Sequence, residues 1–158
     1  MKEAIIKELR KTSVWMGFFA GFFVLMYTGV VLLTSSQYIY FKGYLPETGK
    51  TVLRVIFYGL TAFSVYIFIW LRKKRYSKET LNAFSGSLDD LMRHLILTVA
   101  FSLSMAEAPL ISGFFLFFLG AMYLDFFILT AVAVAFIIKS IPGRKFLSER
   151  LGDYGKKG

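Results

Sequence analysis

The sequence predicts an all-α, polytopic membrane protein: four transmembrane helices in an antiparallel bundle. Three observations carry that prediction. First, the 158-residue chain is 56% hydrophobic and 18% aromatic, with a mean hydropathy of +0.60. A soluble domain is usually about 45–50% apolar. Second, the apolar residues come in blocks. Residues 14–33, 55–71 and 126–138 carry no charge, and residues 95–124 carry a single one, Glu107. A helix of about 20 mostly apolar residues crosses the roughly 30 Å hydrocarbon layer. Third, the basic residues are distributed asymmetrically. Of 19 Lys and Arg, only Lys42, Lys50 and Arg54 lie between the first two blocks, and none lies between the last two. The other 16 precede the first block, separate the second from the third, or follow the fourth. This is the positive-inside pattern, and it places both termini and the long polar loop in the cytoplasm.

The elements follow in order. Residues 1–12 have Ile5, Ile6 and Leu9 on one side and charges on the other. They form an amphipathic cytoplasmic N-terminus that lies on the membrane or runs into the first span. The transmembrane domain covers 13–140, with spans at about 13–35, 52–71, 94–119 and 122–140. The first apolar stretch is longer than the roughly 7–15 residues of a signal-peptide core, so it is read as a retained helix. Trp15 and Trp70 fall at the cytoplasmic interface, and Tyr38, Tyr40, Tyr44 and Tyr123 at the opposite one, as aromatic belts require. The outer loop has turn signals at Pro46 and Gly49. Residues 72–94 form the largest polar loop. Ser87, with Asp89 and Asp90 behind it, marks a helix start where the macrodipole favours anions. Pro142 and Gly143 end the last span. The tail, 141–158, is cytoplasmic and begins with a short interfacial helix. Small residues mark internal seams or, alternatively, a seam toward another copy of the protein: Gly17, Gly21 and Gly29 in the first span, Ala131 and Ala135 in the fourth, and in the third the i+4 row Ala100, Ser104, Ala108 and Ser112, continuing past Leu116 to Gly120.

Composition also excludes chemistries. There is no cysteine, hence no disulfide, thiolate metal site or cysteine nucleophile. The one histidine, His94, cannot supply two axial haem ligands, and no carboxylate cluster completes a zinc site with it. Phosphate loops, nucleophile elbows and dinucleotide fingerprints are missing. No catalytic residue, metal or cofactor is expected, and the protein is not expected to be an enzyme. The net charge of +9 is a topology signal and an attraction to anionic lipid heads, and no nucleic-acid partner is expected. Asp125, at the outer end of the fourth span, is read as an exposed boundary residue, the alternative being one that leads protons toward the membrane.

The sharpest clue is residues 104–113, SMAEAPLISG. Glu107 falls near mid-membrane, where a charge costs at least about 2.5–3.5 kcal/mol. A neutral, protonated carboxyl is the cheaper state, and it can donate as well as accept. Candidate neighbours are Ser104 one turn below, Ser112 above, and Thr61 and Ser64 on the second span, with Tyr27 and Tyr58 nearer the outer side. Pro109 removes its own amide and clashes with the carbonyl of Met105, which makes it a helix hinge beside the carboxyl. Carboxyl, hydroxyls and freed carbonyls together would bind a proton or Na⁺. Alternatively, the carboxyl is an interhelical hydrogen-bond staple in a non-catalytic structural or accessory subunit.

Residues 106–113, AEAPLISG, resemble the carboxylate helix of the proteolipid c subunits of rotary ATP synthases, which commonly reads A-E-A-x-x-I-Y-G. Glu107, Ala108, Ile111 and Gly113 match, and Ser112 stands for the usual tyrosine. The resemblance implies ion binding at Glu107. The chain as a whole resembles a group of uncharacterised small four-span prokaryotic membrane proteins with an A-E-A-P-type third helix. That implies the prokaryotic cytoplasmic (inner) membrane. The expected partners are the lipid bilayer and either further copies of the chain or a larger membrane complex.

Overall fold

The computed structural model describes residues 2–37, 41–83 and 88–150. Its long helices are α1 (Lys2–Gln37), α2 (Glu47–Arg75), α4 (Leu88–Gly120) and α5 (Tyr123–Ser140), with short helices α3 (Lys78–Ala83) and α6 (Arg144–Arg150). All four long helices are apolar and long enough to cross a membrane. The fold is an all-α antiparallel bundle, as the sequence predicts.

α4 is the central helix. It packs against α1, α2 and α5, and half of its apolar window is buried, against 17% in α1 and α2. The outward faces of α1 and α2 carry large apolar side chains such as Phe18, Leu25, Phe63 and Tyr66, as lipid-facing surfaces do. Inside, Ala20 of α1 meets Val99, Leu103 and Ala106 of α4 and Ile137 of α5. Nearer the end away from the chain termini, Val31, Leu110, Phe117, Phe126 and Ala133 form the next layer.

The small-residue seams are only partly where the sequence puts them. In α4 the row is half-buried at Ala100, exposed at Ser104, half-buried at Ala108 and buried at Ser112 and Gly120. The reason is geometric: at 3.6 residues per turn, each i+4 step rotates about 40°. The row therefore starts on the lipid side and ends in the core. In α5, Ala131 and Ala135 are exposed and Ala133 is buried. The tight crossings are elsewhere. A Cβ on Gly113 would stand 3.1–3.2 Å from Leu129 and Phe126, and one on Gly17 would meet Ile141 at 2.7 Å, while Gly21 and Gly29 face open space.

At about 1.5 Å per residue, α1 and α4 are far longer than the roughly 30 Å hydrocarbon layer. The excess builds a cap at the basic end of the bundle. Residues 2–12 run straight into the first span as part of α1, and their apolar side is buried in protein: Ile6 and Leu9 join Tyr76, Leu81, Leu91, Leu95 and Leu147. Outside the lipid the hydrophobic effect operates, and a buried leucine contributes about 1.5–3 kcal/mol. The Arg72 guanidinium lies over the rings of Phe68, Tyr76 and Phe146 at 5.6, 5.8 and 5.9 Å. The Tyr76 hydroxyl is buried without a partner among the described residues. Burial pushes its phenol up to about 12, against a smaller opposing effect of Arg72.

α3 is a helix inside what reads as a polar loop. Its start is fixed by Ser77, whose Oγ accepts from the Thr80 amide at 3.2 Å, the geometry of an N-cap. The helix start expected at Ser87 lies outside the described residues, as do Tyr38, Tyr40 and the side chain of Asp89.

The loop between α1 and α2 folds back onto the end of α4. The amides of Tyr44 and Leu45 donate to the Leu119 carbonyl at 2.7 and 3.1 Å, satisfying an acceptor that a helix end leaves free. Phe41 packs on Phe117 and Tyr44 on Phe118. Gly43, at φ +73, makes the turn.

Candidate functional site

Glu107 lies two residues past the midpoint of the span Asp90–Gly120. It is half-buried. Its neighbours one turn away define its setting. Leu103 and Leu110 pack into the clusters shared with α1, beside Ala20 and Val31. Ser104 and Ile111, on the other side, are exposed. Glu107 therefore sits on the edge between the α1–α4 seam and the open flank of α4. Among the described residues nothing hydrogen-bonds its carboxyl.

The residues proposed with it are divided between faces. The Ser104 hydroxyl is exposed and donates to its own helix, to the Ala100 carbonyl at 3.1 Å. Ser112 is buried but lies about 140° around the helix from Glu107. Thr61 and Ser64 are buried on α2, the helix that packs against α4. One turn beyond Ser64, Phe68 meets Phe136 edge-on at 4.6 Å. On α4, α2 meets Leu116, which packs with Leu53, Phe57 and Tyr58 and lies about 180° from Glu107. The Ser64 hydroxyl donates to the Thr61 carbonyl at 2.8 Å. The Thr61 hydroxyl has no partner among the described residues. Tyr27 packs on Phe114 at 4.7 Å. Within one chain, then, the five candidate residues do not converge on a single point. Pro109 is buried, and α4 runs through it as one helix.

A second polar constellation was not foreseen. Asp125 is buried, not exposed. Arg54 grips it from α2: Nε donates to Oδ1 and Oδ2 at 3.1 and 3.2 Å, and a terminal nitrogen to Oδ2 at 2.7 Å. The Tyr58 hydroxyl donates to Oδ1 at 3.0 Å. Arg54 and Tyr58 stand one turn apart on α2, so both reach one carboxylate. Asp125 lies in the first turn of α5, where the macrodipole also favours an anion. Charge-assisted contacts of this kind are short and strong, and here they fasten α2 to α5 at the end away from the basic cap. The i,i+4 Arg-Tyr spacing and an acid at a helix start were legible signals, but nothing local links residues 71 apart.

His94 sits at the basic end, with Nε2 3.4 Å from the Arg75 carbonyl oxygen. No group of three or more metal-ligating side chains occurs among the described residues. No family model, curated protein or solved structure matches the chain.

Proposed function

We propose that the protein is a multi-pass subunit of a prokaryotic cytoplasmic membrane, with both termini cytoplasmic. It binds a proton at Glu107 and passes it across the membrane, and is completed there by a second polypeptide, in the first instance another copy of itself. One observation carries this reading: a half-buried carboxyl near mid-span, with no partner among the described residues, on the flank of α4 that the bundle leaves open. A carboxyl at that depth is costly when charged and cheap when protonated. A proton needs one oxygen, whereas Na⁺ needs several converging ones, and Ser104, Ser112, Thr61 and Ser64 do not converge. The resemblance of AEAPLISG to the c-subunit carboxylate helix supports the same reading. The role is a non-enzymatic one, resting on the lack of a catalytic constellation in the sequence.

A second reading is favoured by the wide apolar faces of α1 and α2. In it, the chain is an accessory subunit, and Glu107 only hydrogen-bonds a helix of its partner. Glu107→Gln separates the two, because glutamine keeps hydrogen-bonding capacity and loses the exchangeable acid. In proteoliposomes under an imposed potential, the wild-type protein is expected to admit protons at least tenfold faster than Glu107→Gln. Equal fluxes, at any level, overturn the proton reading and leave the staple.

A further inference from the structure

At the basic end, α1 and α6 enclose an open groove of about 1230 Å³. Lys7, Arg10 and Lys11 line it from α1, and Arg144 and Lys145 from α6. Lys7, Arg10, Lys11 and Val14 follow the i, i+3, i+4, i+7 spacing of one helix face. Among the described residues the only acid lining the groove is Glu3, and Arg144 already holds it at 3.0 Å. The other four cations therefore face the space with no acid among the described lining residues to neutralise them. The groove is also graded. Its charged end passes along α1 to Val14 and Trp15, both exposed, at the depth where an amphipathic ring belongs.

We infer that this groove is a binding site for the headgroup of an anionic phospholipid, with the phosphate among Lys7, Arg10, Lys11 and Lys145 and the acyl chain leaving over Val14 and Trp15. Charge and polarity both fit. Each lysine or arginine near an anionic membrane surface strengthens attraction severalfold. An apolar exit beside the cations suits a molecule that is anionic at one end and aliphatic at the other. Free phosphate would use the cations and leave Val14 and Trp15 without a role. Nothing in this inference depends on Glu107.

The chain has two tryptophans, and both lie at the basic ends of their helices. Trp70 is exposed on α2, beneath Lys74 at 4.9 Å, outside the groove. The test uses full-length protein in phosphatidylcholine vesicles containing a small fraction of brominated-chain phosphatidylglycerol. Trp15, read in a Trp70→Phe chain, is expected to be quenched several times more strongly than Trp70, read in a Trp15→Phe chain. Arg10→Gln with Lys11→Gln removes that preference, and Lys73→Gln with Lys74→Gln keeps it. Brominated phosphatidylcholine shows no preference for Trp15. Equal quenching of the two tryptophans by the anionic lipid overturns the inference in favour of a diffuse surface potential. So does loss of the preference on adding inorganic phosphate at constant ionic strength, which assigns the groove to the free anion. Every substituted cation is exposed, so the fold survives each change.

Discussion

Arg54→Leu is expected to destabilise the protein by about 3–5 kcal/mol, because it strands a buried carboxylate. Asp125 is 10% exposed at its side chain, whereas Arg54 is 53% exposed. After loss of Arg54, the carboxylate keeps only the Tyr58 hydroxyl among the described residues. Asp125→Leu should cost less, since the guanidinium left behind is half in solvent and can be hydrated. The double variant should cost less than the sum of the singles, by roughly 2 kcal/mol, as contacting groups in one network do. Equilibrium unfolding in mixed micelles reads all three. Additive losses, or a larger loss for Asp125→Leu, would show that the pair does not fasten α2 to α5.

The second large effect is expected at Gly43. Its φ of +73 lies in the region that a side chain disfavours. A Cβ there would also stand 2.7 Å from the Leu119 carbonyl oxygen, the Gly120 carbonyl carbon and the Ala121 amide nitrogen. All three are backbone atoms and cannot swing aside. Gly43→Ala therefore carries a conformational cost of about 1 kcal/mol and an overpacking cost of about 1–3 kcal/mol. The loop is expected to lift off the end of α4, exposing the Tyr44 and Leu45 amides. Hydrogen exchange at those two amides should accelerate in Gly43→Ala while exchange in the middle of α4 stays slow. Unchanged exchange at Tyr44 and Leu45 would mean the loop is not held by this contact.

The spans were legible because a membrane helix announces itself by length and by absence of charge, both readable residue by residue. Residues 1–12 were legible as amphipathic. Whether their apolar side met lipid or protein was not, since that depends on Leu81, Leu91 and Leu147 arriving from distant parts of the chain. α3 is too short at six residues to show a period, although Ser77 and Thr80 stood at the spacing of a helix cap. The third-span seam misled because a straight i+4 row in sequence winds around a real helix, and because α4 has neighbours on several sides rather than one. Asp125 was misplaced for a related reason. A carboxylate at a helix end looks exposed until the chain brings an arginine to it. Glu107 is near the middle of the α4 span, a position the uncharged run makes legible, but position along a helix says nothing of azimuth. Azimuth decides that Thr61 and Ser64 are not its partners, because α2 meets α4 on the Leu116 side, about 180° from Glu107.

The central proposal is that Glu107 is a protonated carboxyl open to the membrane phase. Reaction with a hydrophobic carbodiimide tests it most directly, because the reagent partitions into lipid and attacks the protonated acid. In native membranes at pH 7, mass spectrometry of the treated protein should find the adduct on Glu107 and not on Asp125, which Arg54 and Tyr58 engage. The adduct should be absent in Glu107→Gln, and added Na⁺ should not diminish it. An unmodified Glu107 under those conditions, or one that Na⁺ shields, would contradict the proposal.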